Sequence, residues 1–73
     1  MQTLGAVLDT ESYEWLAGHH PDILDAIEKE VAAGRNARDI KHFVMIHTLR
    51  AELAQRCFQA VRHIERENNS GER

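Results

Sequence analysis

The chain has 73 residues, a net charge of −3 and a single cysteine, Cys57. That length makes one domain near the lower size for folding without a staple, burying roughly 60% of its unfolded surface, and a lone cysteine excludes an intramolecular disulfide and points to a reducing compartment. No apolar run approaches the roughly 18 residues of a membrane span, and "MQTLGAVLDTE" has neither the basic start nor the apolar length of a signal peptide, so a soluble cytoplasmic protein is expected.

The first helix is expected to start at Asp9, which suits an N-cap, with Leu8 stapling to Tyr13 and Glu11 and Glu14 complementing the helix dipole. It should stop near Gly18. Pro21 disfavours helical geometry at His20 and is itself suited to a first helical position. The second helix then runs to about Ala33, with the stripe Ile23, Leu24, Ile27, Val31 and with Gly34 as the residue that ends it. Asn36 caps a third helix, and Asp39 stands where a capping-box acid would lie.

From Ile40 onward two apolar stripes are offset. One holds Ile40, Phe43, Val44 and His47; the other holds Ile46, Leu49, Leu53, Cys57, Ala60 and Ile64. A break or kink near His47–Thr48 accounts for the shift, with Thr48 as candidate cap of a fourth helix. The run Phe43-Val44-Met45-Ile46 would then be the crowded centre of the bundle. The expected fold is therefore all-α, a small bundle of about four helices with a long C-terminal helix. Residues 1–68 would form the single helical domain and residues 69–73, polar and Asn/Gly-containing, a frayed tail.

Chemistry-bearing patterns are sparse. His42 and His47 are separated by about 140° on an ideal helix, and His63 follows Cys57 by six positions, so neither pair has the i, i+3 or i+4 spacing of helix-borne metal ligands. His20 is expected at a helix end, His42 and His63 in solvent, and His47 half-buried beside Phe43. Cys57 falls on the apolar stripe, where a thiol is packing, and no phosphate-binding glycine loop occurs. No metal, cofactor or enzymatic activity is expected.

Charge is divided between the halves: residues 1–34 carry seven acids and one base, whereas residues 35–73 carry eight bases and five acids. Such asymmetry suits either attraction between the two halves within the fold or charge-steered association. The apolar arc of the fourth helix is wide, with Ala54, Phe58 and Val61 extending it to one side of the Leu53–Cys57–Ala60–Ile64 seam. Either that helix is central and gripped from two sides, or Ala54, Phe58 and Val61 form a surface for another chain. The second option makes the protein an interaction or oligomerisation module, with a protein partner (a homo-oligomer foremost) or a place as accessory subunit in a larger assembly.

The segment "EVAAGRNARDIKHFVMIHTLR" also resembles the helix-turn-helix of transcriptional regulators with a four-helix DNA-binding domain. Gly34, Asn36, Asp39 and Ile40 match that pattern in kind, and Val44 and Ile46 fall near its apolar positions. Lys41 stands where the family packs a small residue, and Met45 where it has the turn glycine. The resemblance covers under a third of the chain and implies major-groove contacts by Arg50, Gln55 and Arg56.

Overall fold

In the computed structural model, which describes residues 3–70, Thr3 opens the first helix: its Oγ1 accepts the Ala6 N–H at 3.2 Å. The four helices are α1 (Leu4–His19), α2 (Pro21–Ala32), α3 (Ala37–Thr48) and α4 (Ala51–Ser70), with no strand among the described residues. The all-α bundle with a long C-terminal helix expected from the sequence is the fold observed. Helix α4 continues through Asn69 and Ser70, and the rest of the expected tail, residues 71–73, lies outside the described residues.

Local chemistry sets most of the boundaries. Pro21 occupies the first turn of α2. At its other end Gly34 takes a positive φ of 97°, and the N–H groups of Gly34 and Arg35 reach back to the carbonyls of Val31 and Glu30. This is the Schellman arrangement, which gives the last carbonyls of a helix their missing donors. Asn36 Oδ1 accepts the Asp39 N–H at 2.8 Å and starts α3. The expected break also occurs, one residue beyond its predicted place. Leu49 adopts left-handed geometry (φ 56°), and its N–H bonds to the Met45 carbonyl. Thr48 serves the end of α3 rather than capping α4: its hydroxyl donates to the Val44 carbonyl and accepts the Arg50 N–H.

The start of α1 differs most from expectation. Helix α1 begins five residues before Asp9, and Asp9 is buried instead of capping an exposed end. Its carboxylate bonds Arg66 at 3.1 Å and lies 3.3 Å from Arg62, both on α4. Two guanidiniums supply what solvent would have given the buried charge, so an acid occupies a core position on the stripe Ala6, Asp9, Ser12, Leu16.

Helix α4 is the centre of the bundle, in contact with α1, α2 and α3. Its core-facing residues include Leu53, Ala54, Cys57, Ala60 and Val61, all buried. Small side chains there let neighbouring helices approach closely. Leu53, Cys57, Ala60 and Val61 meet Leu16 from α1, Leu24 and Ile27 from α2, and Ala37 and Ile40 from α3 in one core cluster. Polar contacts fix α1 against α4: Ser12 with Gln59, and Thr10 Oγ1 with His63 Nδ1 at 3.1 Å. Thr10 Oγ1 also lies 3.1 Å from the Ala6 carbonyl one turn earlier, so the hydroxyl links its own helix backbone to the His63 ring.

Candidate protein-interaction face

The expected partner surface on α4 is absent from the outside of the molecule. Ala54 and Val61 are completely buried, and Phe58 is half-buried with Lys41 Nζ 5.3 Å from its ring centre. The wide apolar arc of α4 is filled by the chain's own helices, since α1 and α3 both lie along it. Ala54, Phe58 and Val61 therefore belong to the packing of the monomer.

The run at 43–46 shows the opposite correction. Only Val44 is turned partly inward; Phe43 is 60% exposed, Ile46 57%, and Met45 also faces solvent. Leu49, which the sequence placed on the α4 stripe, is 80% exposed because the left-handed reversal carries it off that line. The physical reason is the placing of α2. It packs on α4 far more than on α3, leaving α2 and α3 apart along much of their length. A groove of about 470 Å³ separates them, walled by Ile23, Ala26 and Ile27 on one side and Ile40, Phe43 and Val44 on the other. Its rim is polar, with Glu30, Arg35, Asp39 and His47.

Four large apolar side chains thus sit in solvent on the C-terminal half of α3 and at its end, and one of them, Phe43, lines an apolar groove. His47 is exposed rather than half-buried, stacks on Phe43 with ring centres 4.0 Å apart, and shares a hydrogen bond between Nδ1 and the Phe43 carbonyl. That stacking holds the Phe43 ring in place at the groove rim. A second, smaller apolar stripe, Leu4, Val7 and Leu8, is exposed on α1.

The residues implied as DNA contacts differ in exposure. Arg50 is exposed in the reversal before α4, and Gln55 is exposed on α4. Arg56 is half-buried, its guanidinium 4.4 Å from the centre of the Trp15 ring, an arrangement in which the cation is held by the aromatic face. Arg62 and Arg66 are engaged by Asp9.

Among the remaining groups, His42 is exposed, His63 is half-buried against Thr10 and Tyr13, and His20 sits between α1 and α2 without a side-chain capping bond. No group of three or more His, Cys, Asp or Glu side chains is arranged to hold a metal among the described residues. Burial pushes the Cys57 thiol up to about 11, which keeps it protonated and unreactive at neutral pH. No helix of the described residues is long and apolar enough to cross a membrane.

The exposed face was legible in part. Phe43, Val44, Met45 and Ile46 are too many consecutive apolar residues for one helix face to bury. That excess is the signal, and the structure places it on the surface instead of in the interior. Comparison with family models, with curated proteins and with solved structures finds no match to this chain.

Proposed function

We propose that this protein is a small interaction module that works by binding another protein chain, either as an oligomer or as an accessory subunit of a larger assembly. The observation that supports it is the exposure of Phe43, which lines the α2–α3 groove, together with Ile46 one turn further on the same side of α3. Monomeric proteins rarely leave large apolar side chains contiguous in solvent without a use for them. The polar rim of Glu30, Arg35, Asp39 and His47 around an apolar floor has the organisation of an interface core and its border. A place in the cytoplasm agrees with a single cysteine, which can form no disulfide within the chain.

The competing reading, a DNA-binding regulator, has less support. Three of the basic residues on α4 are engaged within the chain, Arg56 by Trp15 and Arg62 and Arg66 by Asp9. Few remain to neutralise phosphates together.

The test is capture from the native host with tagged wild-type chain and with a Phe43→Asp/Ile46→Asp variant, scoring a differently tagged copy of the chain as well as other proteins. A partner lost by that variant and kept by Leu4→Asp, a control on α1, is expected. If every captured protein binds both variants equally, the α3 face is not the contact surface. Low-micromolar binding of random duplex DNA that weakens steeply with salt would favour the regulator instead.

A further inference from the structure

We infer that the partner of the α3 face is a second copy of this chain, bound antiparallel across a two-fold axis with Phe43 of each copy opposite Ile46 of the other. This rests on the reading of α3 as the contact face. At 100° per residue, Asp39, Phe43 and Ile46 fall within about 60° of one another and make one outward stripe of α3. Asp39 stands in the first turn of α3, four positions before Phe43, and Arg50 lies just past the C-terminal end of α3, beyond the Leu49 reversal. The order acid, aromatic, aliphatic, base therefore becomes its own complement when read from the other end.

A two-fold contact requires this property, because the same surface must satisfy itself. Reversing a second α3 over the first puts Phe43 against Ile46 twice, and Asp39 against Arg50 twice. The apolar pairs occupy the centre and the charged pairs the border. Antiparallel helices also place opposite dipole ends side by side.

Four observations fit that arrangement. Phe43 and Ile46 are both more than half exposed, so each is available. Asp39 and Arg50 have no ion pair among the described residues, although Arg35, Arg62 and Arg66 each do. Arg50 lies just past the end of α3, where its N–H is held at 3.2 Å by Thr48 Oγ1, and its long side chain remains free to cross to a neighbour. The groove behind Phe43 supplies a concavity into which an Ile46 from the second copy can settle. The stripe on α1, Leu4, Val7 and Leu8, has no flanking acid–base pair of this symmetry.

Sedimentation equilibrium of the full chain tests the inference. Wild type should reach twice the chain mass in the micromolar range. Ile46→Asp should weaken association by on the order of 100-fold, because two central pairs are lost at once, with helicity unchanged at so exposed a site. Asp39→Lys and Arg50→Glu should each weaken it roughly five- to tenfold, by replacing attraction with repulsion at two symmetric positions. The double variant Asp39→Lys/Arg50→Glu should recover most of that loss, since the swapped charges again face each other. That recovery would distinguish this register from any other apolar contact. A wild-type monomer at several hundred micromolar overturns self-pairing while leaving a different protein partner for the same face. Undiminished association of Ile46→Asp, or a charge swap that recovers nothing, overturns the antiparallel register.

Discussion

Asp9 and Arg66 are 57 positions apart in the chain and 3.1 Å apart in the fold. With Arg62 at 3.3 Å they form a three-member ionic group that ties the first helix to the last. The carboxylate is buried while both arginines keep substantial contact with water.

Asp9→Asn should accordingly destabilise the domain by about 1–3 kcal/mol, below the 3–5 kcal/mol of a fully buried pair because the two guanidiniums can rehydrate. Urea denaturation followed by circular dichroism measures it. An unchanged midpoint would mean that the carboxylate contributes nothing net to holding α1 on α4.

Stability should fall as the solution is made alkaline. The Cys57 thiol titrates near 9 when free and is raised to about 11 by burial. Between those values the unfolded chain releases a proton that the folded chain retains, so the contribution is complete below pH 9 and is lost as pH rises toward 11. The loss is roughly 2–3 kcal/mol. Tyr13, raised first by burial and then by Glu28, acts in the same direction. Cys57→Ala should show a shallower decline in denaturation midpoint across the same interval, and a native chain should react with a thiol reagent far more slowly than a denatured one.

Leu49→Gly should raise stability by about 1 kcal/mol. A side chain in left-handed geometry costs about 1–2 kcal/mol relative to ordinary backbone, and glycine offsets part of that by its greater freedom when unfolded. Leu49 is so exposed that little packing is lost. A lower melting temperature would show that its side chain is engaged more than its exposure indicates.

Ala54→Leu should destabilise the folded chain by about 1–3 kcal/mol at any protein concentration, because there is no space around a fully buried alanine on the central helix. Concentration-independent loss of melting temperature is the expected result. Loss that appears only when the protein is dilute would return Ala54 to an interface between chains.

The helices were readable because their ends are local chemistry. Pro21, Gly34, Asn36 and Asp39 act on backbone groups within five residues, and the sequence carries that information directly. Asp9 was misread because the same side chain that caps a helix can also receive arginines from 53 and 57 positions away, and nothing near it in sequence announces them. The exchange between α3 and α4 has a similar origin. An apolar arc shows which side of a helix avoids water, but not how many neighbours arrive to cover it. Helix α4 has three neighbours and buries Val61; α3 is left open toward α2 and exposes Phe43. The reversal at Leu49 then turns one continuous apolar stripe into two unrelated ones.

The central place of α4 also bears on synthesis. It is the last of the four helices to emerge from the ribosome, yet the other three meet mainly through it. Leu16, Leu24, Ile27 and Ile40 have no shared core until Leu53, Cys57, Ala60 and Val61 have been made. The nascent segment up to Arg50 is thus a set of helices of 12 to 16 residues, close to the length at which an isolated helix is marginal in water, and native structure should appear in one cooperative step after translation has passed α4. During that interval Phe43 and Ile46 are accompanied by every other apolar side chain of the nascent chain, and the α3 face stands out as an exposed apolar surface only once α4 has covered the rest.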